Sequence, residues 1–443
     1  MEQTGKKSKE MDMLNGTLAG KLILFSIPLA FSSILQQLFN SADVAVVGRF
    51  AGDRALAAVG SCVALVGIFV NLIVGLSVGP NAALANLIGQ KKREKINVMM
   101  HTILAFGAIL GIVLMCIGML SARIVLEVSG TPESVMDEAL LYIRIYFISI
   151  PFMIIYNFGS AVLRSFGDTR RPMYYLILSG TVNVILNLVL VICFKLGVSG
   201  VAIATVISNI LSSALVIINL YRREGEFQFR FHNLKIGSGD LKKVLIIGIP
   251  AGIQGAIFSV SNVFIQSGIN SFGEDAIAGS SLALNFEYFT YDIASAFAQA
   301  AVTFTSQNFG AGNLKRCKKI FWLCMLFGMA FTEILSVIFM ISDAVAAYGL
   351  IRMHHVCSLE GLTATYEVES AALRGMGKSL EPSVITILGT VVFRMIWMVT
   401  IFKIIPTFDM LMNVYVASWV FTGGILFIIY LRHMRKLENK HGW

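Results

Sequence analysis

Twelve apolar stretches of roughly 20 residues or more follow one another along this chain of 443 residues, and a stretch of that length is what a helix needs to cross a bilayer. They lie near residues 22–46, 55–80, 98–120, 138–161, 172–194, 199–220, 243–268, 277–303, 318–341, 345–371, 382–404 and 409–431. The tenth is the weakest, because His354, His355, Glu360, Glu367 and Glu369 make it too polar to face lipid. Composition points the same way. Apolar residues make up 56 % of the chain and charged ones only 14 %, against about 25 % charged in a soluble domain. Too few polar groups exist to cover a water-exposed surface, so a soluble enzyme is excluded, and so is a disordered chain. The expected fold is an all-α integral membrane protein with twelve transmembrane helices.

The charges set an orientation. With both termini placed inside and the spans alternating, most of the 35 Lys and Arg fall in the tails and inner loops, as the positive-inside rule requires. The expected location is the plasma membrane, with N- and C-termini cytoplasmic. The net charge of +9 then follows from topology, and no nucleic-acid partner needs invoking. The basic N-terminal tail lacks a short apolar core with a cleavage site, so no removable signal is expected. Six cysteines without a CxxC pair read as small packing residues.

The two halves resemble each other. IPLAFSSILQQLFNSADVAVVGRFAGD (27–53) aligns without a gap on IPAGIQGAIFSVSNVFIQSGINSFGED (249–275), and AVLRSFGDTRRP (161–172) aligns on AALRGMGKSLEP (371–382). Six spans plus six, both starting inside, make a parallel repeat about an axis along the membrane normal. The expected lobes are 1–220 and 243–443, joined by an inner linker, 221–242. The second half lacks about a dozen residues that the first has just before its fourth span.

Few residues are placed to carry chemistry. Asp43 lies on the first span, where a carboxylate is costly and usually serves an ion or proton pathway; the alternative is a hydrated helix end, since Arg49 and Asp53 follow closely. Asn183 and Asn187 are four apart and share one helix face, which also fits plain hydrogen bonding between helices. At about 1.5 Å per residue, Asp43, Asn187 and Thr205 reach one depth in the outer half, with Asn183 a turn deeper. Oxygens from three helices at one depth suit a small hard cation, or a proton with waters. Pro28 interrupts the first helix, either as a static kink or as a bend coupled to Asp43. Glu287 and Tyr291, with Gln36 and Asn40, are candidate cavity residues. An acid among aromatic rings attracts cations, although Glu287 equally suits a structural ion pair.

These segments resemble the multidrug and toxic compound extrusion (MATE) family. The likeness is carried by Pro28 and Asp43 around LQQLFNSADVAVVGR, by LRSFGDTRRP, NVILN and GVAIATVIS, and by SQNFGAG and LRGMGKSLEP in the second half. It implies a two-lobed exporter of small amphipathic, cationic compounds, driven by H+ or Na+ antiport, with no cofactor and no required protein partner. It also implies a coupling site at Asp43, Asn183, Asn187 and Thr205. Asn187 departs from the pattern, because archaeal-type relatives carry a second acid there. The alternative within the same superfamily is a flippase for lipid-linked oligosaccharides. Its cavity needs a basic ring to hold pyrophosphate, whereas only Arg144, Arg352 and Arg394 fall inside spans. No Walker loop, HExxH or nucleophile elbow is present, which argues against an enzyme.

Overall fold

A computed structural model describes residues 11–223, 227–340 and 347–441. Twelve helical spans follow in order, and no strand occurs among the described residues. In the first half, helix 1 is Leu18–Phe50, helix 2 Asp53–Gly89 and helix 3 Arg93–Val128. Helix 4 is a bent pair, Glu133–Phe147 and Ile150–Ser165. Helix 5 is Arg170–Leu188 with a π-helical end, Val189–Cys193, and helix 6 is Gly197–Tyr221. In the second half, helix 7 is Ser238–Asn270, helix 8 Glu274–Gly310 and helix 9 Leu314–Met340. Helix 10 is broken into Ala347–His355, Cys357–Leu362 and Thr363–Gly375. Helix 11 is Leu380–Thr386 continued by Ile387–Val392 and Phe393–Val399, and helix 12 is Phe408–His441.

Helices dominate because lipid offers no partner to a backbone N–H or C=O, so each span must satisfy its own. Nine of the twelve are long and apolar enough to cross on their own, and helix 4 joins them as a pair bent by 41°. Helices 8 and 10 fall short. The sequence reading singled out only the tenth. Helix 8 carries Glu274, Asp275, Glu287 and Asp292; Glu274 and Asp275 are exposed at its start, and Glu287 is tolerated because Arg352 of helix 10 supplies a partner, as described below. The stretch 341–346, where the second half is shorter, lies outside the described residues.

Two large apolar cores form, with a small third cluster at Ala283, Met353 and Cys357. One gathers residues from Val46 to Val244, the other Met13 to Leu29 with Ala82 and the chain from Ile247 onward. Helix 1 therefore straddles them. Leu18, Leu22, Phe25 and Leu29 pack into the second core, with Phe25 edge-on to Phe304 at 5.3 Å, while Val46 and Val47 pack into the first. Pro28 sits at the changeover, where its missing donor weakens the helix.

The first described residues and the end of helix 12 both meet the start of helix 9, through Arg316 to Asn15 and Lys318 to Glu438; this side is here called the basic face. The lobes meet along helix 2, which packs against helices 7 and 8. Asn71 donates to Ser259 at 2.8 Å and Asn81 to Thr303 at 2.8 Å. Nearer the basic face, contact is backbone on backbone. A methyl group added at Gly89 would lie 1.9 Å from the Gln307 carbonyl, and one at Gly310 would lie 2.2 Å from the Asn86 carbonyl. These two contacts exchange under the repeat, as expected of an isologous, two-fold interface. Among the described residues, the polar bonds between helix 2 and the other lobe run from Gly67 to the basic face.

Candidate functional site

Helix 1 leans on helix 5 where Phe39 lies over Gly180; a methyl group there would come within 1.9 Å of the Phe39 ring. One turn further along helix 1, and on the same face, Asp43 meets helix 5. Asn187 Nδ2 donates to Asp43 Oδ1 at 2.5 Å and lies 3.2 Å from Asn183 Oδ1. Asn183 and Asn187 are buried, and Asn187 Oδ1 has no partner among the described residues. The π-helical turn begins two residues beyond Asn187, and such turns recur at functional sites. A buried, unpartnered oxygen beside a carboxylate is a ready acceptor for a proton or a small cation.

Not every expected member joins this chain of bonds. Thr205 Oγ1 donates to the Val201 carbonyl of its own helix at 3.1 Å, so its recorded bond does not point to Asp43. Two residues the sequence reading missed come close instead. Tyr142 and Tyr146 of helix 4 are buried, stack at 6.2 Å and lie within electrostatic range of Asp43. Their i, i+4 spacing in YIRIY was the available signal. Gln36 and Asn40 are exposed and, at three- to four-residue spacing, form a polar stripe leading to Asp43.

In the second half, Glu287 is not the free carboxylate expected of a cation site. Arg352 holds it through two bonds, Nε to Oε1 at 2.5 Å and Nη2 to Oε2 at 2.8 Å, and donates also to Ser280 at 2.6 Å. Both side chains are buried, and a paired acid in low dielectric offers no net charge to a ligand. Tyr291 donates to Glu367 at 2.8 Å. Further along, Thr290 donates to Glu360 at 2.6 Å, and the Gly361 N–H donates to Glu333 at 3.0 Å. Buried polar bonds thus fasten the polar helix 10 to helices 8 and 9. Arg394, also buried, lies over the Tyr415 ring at 4.6 Å and the Phe258 ring at 5.4 Å.

The MatE family model matches residues 28–189 and again 250–400, so each match starts at one of the repeat-related prolines. This chain belongs to the MatE family. It is a membrane transporter and not an enzyme. It is 29 % identical over 407 residues, 87 % of this chain and 86 % of the relative, to the probable multidrug resistance protein YoeA of Bacillus subtilis (strain 168). It is 30 % identical over 318 residues, 70 % of this chain and 69 % of the relative, to the probable multidrug resistance protein YpnP of the same organism. Among solved structures, an outward-facing conformation of a multidrug resistance MATE family transporter superposes with a TM-score of 0.89 at 21 % identity, covering 98 % of this chain and 100 % of that one. A MATE transporter in the straight conformation gives 0.89 at 20 %, with the same coverage. Those two establish the fold: twelve helices in two six-helix lobes.

Proposed function

We propose that the chain is a secondary active exporter of small amphipathic compounds, cationic ones foremost, in antiport with H+ or Na+. The basic face is then cytoplasmic in the plasma membrane, and the moving bodies are 1–220 and 243–443, linked by 221–242. The multidrug resistance names of YoeA and YpnP support the substrate class. The observation that carries the coupling is the Asp43–Asn187 bond at 2.5 Å, between a helix that straddles both cores and one that does not. Protonating Asp43 removes the charge that the Asn187 amide serves and loosens helix 1 from helix 5. Thr205 belongs to this proposal as a ligand that helix 6 could bring in after a small movement.

The flippase reading is weaker. Arg352 is neutralised by Glu287, Arg394 is buried between rings, and Arg374 gives its Nη2 to Gln254 at 2.5 Å. Among the described residues, these three buried arginines form no ring of available guanidinium groups for a pyrophosphate. The test is export of a fluorescent cation from inverted vesicles while the proton and sodium gradients are collapsed separately, with wild type and Asp43→Asn. Loss of export with one gradient and with the variant is expected; export that survives both collapses rules out antiport.

A further inference from the structure

Met11–Gly16, just ahead of helix 1, is folded and docked, and neither fact is needed for membrane insertion. Asp12 closes a tight turn: its carboxylate accepts from the Leu14 N–H at 2.9 Å, the Asn15 N–H at 3.2 Å and the Asn15 amide at 3.1 Å. Lys21 of helix 1 donates to the carbonyls of Asp12 at 2.5 Å and Asn15 at 2.7 Å. Slight burial pushes the Asp12 carboxyl up, but the Asn15 and Leu14 bonds and the Lys21 charge outweigh it and hold it below the ordinary value. The turn is therefore built on a fixed negative charge.

The docking uses the other lobe. Arg316, in the first turn of helix 9, donates through Nε to the Met13 carbonyl at 3.3 Å, through Nη2 to Asn15 at 3.0 Å and through Nη1 to Gly16 at 3.0 Å. Asn308, near the end of helix 8, donates to the Met13 carbonyl at 3.2 Å. The Met13 side chain is fully buried in the second core. On the first-half side, Met11 lies against Gly167, where a methyl group would come within 2.7 Å of its backbone. Gly167 has φ +91°, in the left-handed region that favours glycine. Met11–Leu14 also border a cavity of about 470 Å³ with Phe166, Phe227 and Gln307. The segment thus crosses the line where Gly89 and Gly310 bring the lobes together.

We propose that Met11–Gly16 is a strap that holds the lobes shut on the basic face, and that Arg316 is its latch. A guanidinium fork directed at three backbone carbonyls makes charge-assisted bonds of fixed geometry. Parting the lobes on this face pulls the strap off either Gly167 or helix 9, so either the close packing of Met11 on Gly167 or the Arg316 bonds must give before the cleft opens to that side. The inference rests on the two-lobed transporter reading only in taking that the lobes part there; it does not depend on Asp43.

The test measures the distance between lobes directly. Spin labels on Glu94→Cys and Lys319→Cys, both on the basic face, are read by pulsed electron resonance in the full chain in lipid nanodiscs, with the exposed Cys116 and Cys193 replaced by serine. Arg316→Ala unlatches the strap and Asp12→Ala unfolds its turn from the opposite end. Each is expected to add a longer-distance population that the parent chain lacks. Two folded variants with the parent distance distribution would overturn the proposal, and should Arg316→Ala fail to fold, Asp12→Ala decides. Asp43→Asn on the same labelled chain separates the two readings. Undiminished export by that variant sinks the coupling site, yet the strap stands or falls on the distances alone.

Discussion

At Asp43 the chemistry comes down to one carboxylate and one amide. Asn187→Asp puts a second carboxylate within 2.5 Å of the first, and two such charges do not both ionise without a shared cation or proton. Export by this variant is expected to become sodium-dependent, read as a loss of transport when only the sodium gradient is collapsed. Glu287 behaves differently. Glu287→Ala strands Arg352 as a buried, unpaired charge, which costs about 3–5 kcal/mol. Its thermal unfolding should drop well below that of the wild type, whereas Asp43→Asn, which keeps shape and hydrogen-bonding capacity, should unfold near it. Asp43 and Asn187 were legible in the sequence because a charged or amide residue in a span stands out against apolar neighbours. The pairing of Glu287 with Arg352 was not, since it joins residues 65 apart through a break in helix 10 that no periodicity reports. Tyr142 and Tyr146 were missed because tyrosine in a span is unremarkable until its neighbours are known.

Among the elements, helix 1 packs into both cores and carries the proposed coupling. Its contact with helix 5 rests on the Phe39 ring over Gly180, so a larger residue at 180 should lever Asp43 away from Asn187. Gly180→Leu is expected to cut coupled export at least tenfold, the loss of about 1.4 kcal/mol in a transport barrier. Phe39→Ala in the same chain should restore part of it by vacating the space. Failure of that rescue would show that Gly180 acts through some other contact. Most span positions were readable from hydropathy alone, because bilayer thickness fixes helix length. The bend in helix 4 and the π-turns in helices 5 and 11 were not, because they depend on how neighbouring helices crowd the backbone.

On the scale of the whole molecule, the seam between lobes decides which side is closed. Gly89→Val and Gly310→Val each drive a side chain into a backbone carbonyl, at 1.9 and 2.2 Å for the first carbon alone, and a carbonyl in a helix cannot swing aside. Both variants are expected to lengthen the Glu94–Lys319 distance, and by similar amounts because the repeat makes the contacts equivalent. A response from only one would mean that the two-fold relation is broken where the lobes touch. The repeat itself was visible in the sequence, but not that Asn81 and Thr303 bond to each other across it.

Glycine at that seam also bears on speed. Where Gly89 and Gly310 meet the opposite carbonyls, the contact freezes no rotamers when it shuts and frees none when it parts. Little ordering entropy is gained or lost at that contact in either direction, so it adds no large entropic barrier of its own.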